Sequence, residues 1–264
     1  KKIKFLMKEE TIKMKNPINF STIRGKIKEA SALRIAPYSY SHQSFKKALS
    51  RDLHFQDLFQ DKLSSKQKPE ALVICCSDSR VVPALITNSD PGRLFMVRNV
   101  GNMVPKAKSK EDFSVGSAVE YAVEVLKVKD IIVCGHSNCG ACGAIFDSMD
   151  EQSQDFKDLV NKFDNFGESK VKHWLHITGE ETLKSFEKIR DEMNDDYNNL
   201  STSEKKDLLA RVNVIEQAKE LLNYPSVAHT PKKAKRETPH IHAWFYDIPS
   251  GEIEAFNGET FEKL

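Results

Sequence analysis

The chain has no apolar run approaching the roughly 20 residues that a bilayer-spanning helix needs, so no stretch of its 264 residues reads as a membrane span. It has no surplus charge of either sign. Its 40 Lys and Arg stand against 38 Asp and Glu, a net +2 that lacks the basic footprint of a nucleic-acid binder. The basic opening "KKIKFLMKEE" offers only "FLM" before charges return, too little for the apolar segment of a signal peptide. The expected compartment is therefore the cytoplasm. Cysteine is scarce and oddly placed: Cys75, Cys76, Cys134, Cys139 and Cys142 fall in two short stretches. A secreted disulfide framework would favour an even set spread over a shorter chain, whereas clustered Cys with a nearby His points to metal or thiol chemistry. Internal repeats, low-complexity tracts and a clean interdomain linker are all missing, which leaves one large domain as the simplest account.

What is there is an alternation of strand and helix patterns. "ALVIC" (71–75) is a continuous branched apolar run, the pattern of a strand buried on both faces. "RLFMVRNVG" (93–101), "DIIVCG" (130–135) and "HIHAWFYDI" (240–248) are further strand candidates, and "PSG" turns the last into "EIEAF" as a hairpin. Between them, "SVGSAVEYAVEVLKV" (114–128) lines up Val115, Val119, Ala122, Val123 and Leu126 on one helical face. "GACGAIFDSM" (140–149) begins another helix, and 150–210 is charged and helical with a turn at "NDDYNNLSTSE", where Ser201 or Ser203 caps the next helix. "RVNVIEQAKELLNY" (211–224) is an amphipathic helix stopped by Pro225. Upstream, Phe45, Leu49, Leu53, Leu58 and Phe59 give 41–63 helical spacing, while the basic 232–236 stretch reads as a solvated loop. The predicted fold class is α/β: a single domain over 41–264 around a mainly parallel β-sheet flanked by helices. Residues 1–40 form an N-terminal helical extension outside it.

In open parallel sheets, functional groups gather beyond the carboxyl ends of strands. Both cysteine clusters sit there, one after "ALVI" and one after "DIIV". His136 and Cys139 lie three apart around a Gly-flanked turn, close enough to share one ion. A third ligand from the first loop would leave a fourth position open, the layout of a catalytic zinc. Two thiolates and an imidazole select zinc over hard cations. Side chains alternate along an extended segment, so Cys75 and Cys76 face opposite ways. Asp78 and Arg80 share the parity of Cys76 and favour it as the ligand, leaving Cys75, like Cys134, as a small core residue. Cys139 and Cys142 also form a C-x-x-C, which could be a redox pair, although that reading leaves His136 unexplained. His42, His54, His173, His176, His229, His240 and His242 lack clustered Cys partners and are expected in surface or structural roles.

"CSDSR" at 76–80 followed by "HSNCGA" at 136–141 resembles the beta-class carbonic anhydrases. The likeness extends through "RNVGN" (98–102), "SAVEYAVEVLKV", "RVNVIEQ" (211–217) and "HAWFYDIPSGEIEAF", covering roughly 41–257. The resemblance implies one zinc per subunit held by Cys76, His136 and Cys139, with Asp78 and Arg80 as the catalytic pair. It implies reversible hydration of carbon dioxide to bicarbonate and a proton by a zinc-activated water. The plant-type branch adds a substrate pocket that falls on Gln67, Phe95, Val100, Tyr121 and Gly140, some of it supplied by a neighbouring subunit, so a homodimer or larger homo-oligomer is implied. A second branch closes its site under control of a bicarbonate pocket built on a Trp and a Gly; here those positions are Val73 and Cys75, which argues for the open-site branch. The rival readings are a same-fold hydrolase of carbon disulfide or carbonyl sulfide, and a non-catalytic zinc module.

Overall fold

The structure is a computed structural model, and it describes residues 63, 66–110, 112–149, 169–228 and 238–264. The expected extension (1–40), the helix expected over 41–63 up to its last residue, the whole of 150–168 and the basic 232–236 stretch lie outside the described residues.

Strand β1 (Ala71–Cys76) is buried at every position. Its two faces separate by alternation as an extended chain must. Ala71, Val73 and Cys75 pack with Ile132, Cys134 and Trp244 on one side, whereas Leu72 and Ile74 join Val115, Val119, Ala122 and Val123 on the other. A short helix α1 (Pro83–Ile86), started by its proline, leads to β2 (Leu94–Asn99). Helix α2 (Ser114–Glu120) runs into a π-helical stretch (Tyr121–Leu126) that ends at Lys127, whose φ of 59° is the left-handed conformation of a helix stop. The expected single α-helix over 114–128 is thus split in type. Its inward residues are nonetheless the anticipated Val115, Val119, Ala122 and Val123, with Leu126 half-buried.

Strand β3 (Asp130–His136) is followed by α3 (Gly140–Asp147). Then come α4 (Lys170–Met193), α5 (Asp195–Asn198), α6 (Thr202–Leu221) and α7 (Pro225–Ala228). Of the two serines offered as caps, Ser201 is the one: its hydroxyl accepts the Glu204 N–H and Glu204 reaches back to the Ser201 N–H. The helix expected to begin at 211 therefore begins a little over two turns earlier, because nothing in 202–210 breaks it. Strand β4 (His240–Asp247) turns into β5 (Glu252–Phe256), and a three-residue β6 (Phe261–Lys263) that the sequence did not lead one to expect completes the sheet.

The six strands run in the order β2-β1-β3-β4-β5-β6. β2, β1, β3 and β4 are mutually parallel, whereas β5 and β6 are antiparallel additions. The chain leaves β1 for β2 on one side, then crosses back to β3 on the other. The carboxyl ends of β1 and β3 therefore flank the point where strand order reverses, the crevice in which such sheets bind ligands. Helix α6 seals the sheet close by: a Cβ at Gly135 would collide with Val214 of this helix, so only glycine permits so near an approach. Gln217 and Asn213 of α6 bond Thr178 and Thr182 of α4, the Val104 N–H and the Gly101 carbonyl, fixing the loop after β2.

Candidate metal centre

Three side chains converge at the switch point. Cys76 ends β1, His136 ends β3, and Cys139 is the residue preceding α3. Their ligand atoms lie within 4.8 Å of one another, and all three residues are buried. The loop between His136 and Cys139 is pinned from outside: Ser137 donates its N–H to the Tyr246 carbonyl at 3.0 Å, and its hydroxyl accepts the Ile248 N–H at 2.9 Å. Asn138 takes a left-handed φ of 53°, and its N–H goes to Asp207 of α6 at 2.8 Å.

The donor set passes a chemical test for a metal. His136 Nδ1 lies 2.9 Å from the Ser137 carbonyl, which can only accept, so Nδ1 carries the proton and Nε2 keeps its lone pair. That Nε2 is fully buried with no hydrogen-bond partner, a costly omission unless a ligand supplies the contact. Without an ion the sulfurs resist ionisation: the neighbouring Cys139 sulfur and burial push the Cys76 thiol up to about 12, and the Cys142 contact with burial pushes Cys139 up as well. A bound dication inverts that preference and deprotonates a coordinating thiol. Two sulfurs and one imidazole nitrogen suit zinc.

Beside the triplet lies the acid–base pair. Asp78 and Arg80 do not meet by strand alternation, because extended structure stops at Cys76. A turn closed by the Val81 N–H on the Asp78 carbonyl at 3.0 Å brings them together. Arg80 takes both carboxylate oxygens of Asp78, and its Nη2 also donates to the Asn138 carbonyl at 3.2 Å, joining the two loops. The guanidinium holds the Asp78 carboxyl down at about 2. Asp78 Oδ2 stands 3.9 Å from His136 Nε2, too far for a hydrogen bond and near enough to face anything held there.

The remaining expected pocket residues divide into two groups. Gly140 opens α3, and Val100 follows β2, so both sit at the metal end of the sheet. A Cβ at Gly140 would touch nothing within 4 Å, so space does not demand glycine there. Gln67, Phe95 and Tyr121 lie elsewhere. Gln67 precedes β1, at the opposite end from Cys76, and Phe95 pairs with Leu72, four residues back from Cys76. Phe95 and Tyr121 stack with ring centroids 5.9 Å apart along the β2 side. Within one chain the structure does not bring these three to the metal centre.

Sequence reasoning missed Arg98. From β2 it donates to the Cys76 carbonyl at 3.2 Å and to the Asp78 carbonyl at 2.7 Å, clamping the loop that carries both. It also missed Asp207, since a contact across 69 residues leaves no local signal. Of the seven other histidines, His173, His176 and His240 are exposed and His242 bonds Asp130 at 3.1 Å. His42, His54 and His229 lie outside the described residues.

A parallel sheet that presents a sulfur–sulfur–imidazole centre at its switch point, with an ionised Asp–Arg pair alongside, defines an α/β metalloenzyme. The carbonic anhydrase family model matches residues 71–253. A carbonic anhydrase of Pseudomonas aeruginosa is 39% identical over 200 residues, 75% of this chain and 78% of that protein. The beta-carbonic anhydrase CcaA superposes with a TM-score of 0.65 at 32% identity, covering 84% of this chain and 95% of its own. One of two tetrameric beta-carbonic anhydrases of Sordaria macrospora gives 0.59 at 27% identity, covering 83% of this chain and 100% of its own. This chain belongs to the carbonic anhydrase family and to its beta class.

Proposed function

We propose that the chain catalyses the reversible hydration of carbon dioxide to bicarbonate and a proton at a zinc held by Cys76, His136 and Cys139. The observation that carries this assignment is the unpartnered, fully buried His136 Nε2 facing two sulfurs. Zinc, when bound, lowers the pKa of a coordinated water toward neutrality and so supplies a strong nucleophile. The chain's own residues do the rest. Asp78 stays ionised and accepts the reacting water's hydrogen bond through Oδ2, which turns an oxygen lone pair toward the substrate. Arg80 occupies both Asp78 oxygens and keeps the carboxylate turned from the metal position. Arg98 and Asn138 hold the two loops in register, and Val100 offers an apolar wall to a substrate without hydrogen-bond donors. Cys142 is outside the group of ligand atoms that converge and Asp78 is held by Arg80, which supports a site with a position left for water rather than a structural zinc module.

The reading extends to the open-site branch. Val73 and Cys75 are packed among Val81, Ile132 and Trp244, which supports a filled core rather than a bicarbonate pocket. It also extends to a homodimer as the smallest complete unit. β2 is the sheet's terminal strand and exposes Met96 at 48%, and the π-helical stretch against Phe95 exposes Val125 at 59% and Tyr121 at 43%. Phe95 and Tyr121 lie on this side, and a second copy receives them, with Gln67 from the segment before β1, into its own site. Larger homo-oligomers follow from pairing such dimers. The test is stopped-flow hydration of carbon dioxide on protein of measured zinc content, with carbon disulfide and carbonyl sulfide assayed in parallel. Turnover proportional to zinc, with carbon dioxide preferred, is expected; zinc-replete protein that leaves carbon dioxide untouched refutes the assignment.

A further inference from the structure

The loop after β2 carries Val100, the apolar wall of the proposed site. Asn99 pairs with Cys76 in the sheet, and its carbonyl accepts the Ser77 N–H at 2.8 Å. The Asn102 N–H reaches the same carbonyl at 3.5 Å and Gly101 has a φ of 84°, so Asn99–Asn102 is a turn whose third residue must be left-handed. A Cβ at Gly101 would sit 2.8 Å from Met103 Cε and 2.9 Å from the Ala141 Cβ, one residue past Gly140. The peptide joining Val100 to Gly101 is the unit such a turn can flip, because glycine accepts either sign of φ. Its carbonyl is taken from far along the chain: Trp174, in the second turn of α4, donates its indole N–H to the Val100 carbonyl at 2.9 Å. Trp174 is itself fixed. It packs against two core clusters, and its carbonyl accepts the Thr178 hydroxyl at 2.6 Å. The Thr178 carbonyl in turn accepts from Gln217, whose Oε1 takes the Val104 N–H at the loop's far end.

We propose that Trp174 is a positioning residue for carbon dioxide: its indole N–H fixes the Val100–Gly101 peptide and so holds the Val100 side chain against the substrate. This rests on the activity given under Proposed function. Planar peptides leave only φ and ψ free at Val100. The peptide before it is tethered to Ser77, next to the Cys76 ligand, and the peptide after it is tethered to Trp174. With both planes held, the isopropyl group has one direction. Deleting the indole donor releases the second plane, and φ and ψ can then change together. Val100 is 41% exposed, so packing alone does not hold it. The Trp174 bond goes to the substrate wall and not to a metal ligand, Asp78 or Arg80. Its loss therefore falls on substrate binding rather than on activation of the nucleophile. An apolar contact with a substrate that lacks donors is made equally in the ground and transition states, so the effect belongs in KM and not in kcat.

The test is a double-mutant cycle on zinc-replete protein, read by stopped-flow kinetics in both directions. Trp174→Phe keeps an apolar ring and deletes the donor. It should raise KM about 3–10-fold, the net worth of one hydrogen bond, with kcat, its pH profile and the zinc stoichiometry retained. Val100→Ala should raise KM as well, and adding Trp174→Phe to it should change little further, because the second substitution acts through a side chain already removed. An unchanged KM in Trp174→Phe, effects that add in full, or a fall in zinc or kcat in place of the rise in KM would overturn the proposal. A second measurement does not depend on that variant. The chain has two tryptophans, so Trp244→Phe leaves one indole N–H resonance, that of Trp174, in a nitrogen-15 spectrum. It should shift as bicarbonate is titrated in; a resonance indifferent to saturating bicarbonate overturns the proposal equally. Zinc-replete wild-type protein without carbon dioxide turnover would instead strike the proposed function, and this inference with it.

Discussion

Arg80 grips Asp78 with two prongs, Nε on Oδ1 at 2.9 Å and Nη2 on Oδ2 at 2.7 Å, while the Arg80 N–H adds a third bond to Oδ1. Such fork-to-fork pairs fix orientation as well as charge. Asp78 is thus held in one rotamer beside the metal centre rather than on it.

Arg80→Ala should leave zinc at one per chain and lower carbon dioxide hydration by about 10²–10³-fold, the scale of losing one preorganised polar group. Elemental analysis and stopped-flow kinetics on the same preparation check both halves. Arg80→Lys should recover only part of the loss, because an ammonium cannot hold both oxygens in the plane of the carboxylate.

The proposed dimer places its contact at the β2 edge. Met96→Glu places a charge on the strand that ends the sheet, and Val125→Glu does so on the neighbouring π-helical stretch. Each should shift the protein toward monomer in sedimentation velocity. Zinc should be retained, since neither residue touches the ligands, while turnover falls with dissociation because Gln67, Phe95 and Tyr121 no longer reach a partner's site. Wild-type assembly in both variants would place the contact elsewhere.

Tyr224 sets an alkaline limit. Its hydroxyl donates to the Pro105 carbonyl at 2.6 Å, and burial, aided by the Glu220 and Asp112 carboxylates, raises its phenol above the ordinary 10.0. With the folded pKa above the unfolded one, the folded state holds the proton longer. The contribution is complete below pH 10 and declines as pH rises through 10 toward the folded value. Tyr224→Phe should cost about 1 kcal/mol near neutrality through the lost hydrogen bond. It should also flatten the fall in urea midpoint between pH 9 and 11. Tyr197 and Tyr246, both also raised by burial, leave a residual slope.

The centre of the molecule was legible because its physics is local. A strand covered on both faces must be apolar throughout, so "ALVIC" and "DIIVC" announced themselves, and alternation separated Cys76 from Cys75 correctly. Ser201 was one of two serines offered as a helix cap, and its capping box with Glu204 makes it the cap. What escaped depended on distant partners. The Asp78–Arg80 pair was expected, but the turn that joins it was not, since periodicity does not encode it. Arg98 matters because β2 happens to lie against β1, and Asp207 because α6 crosses the loop after β3. β6 was missed because three residues carry no period and are held by pairing with β5. Phe95 and Tyr121 pair along the β2 side and Gln67 precedes β1, so within a single chain none of the three reaches the metal centre.

X-ray absorption at the zinc edge of the purified, zinc-replete protein addresses the metal centre most directly. Two sulfurs near about 2.3 Å and two nitrogen or oxygen neighbours near about 2.0–2.1 Å are predicted, with one sulfur lost from the shell, or zinc lost altogether, in Cys139→Ser. A shell of four sulfurs, or one with none, would contradict the account.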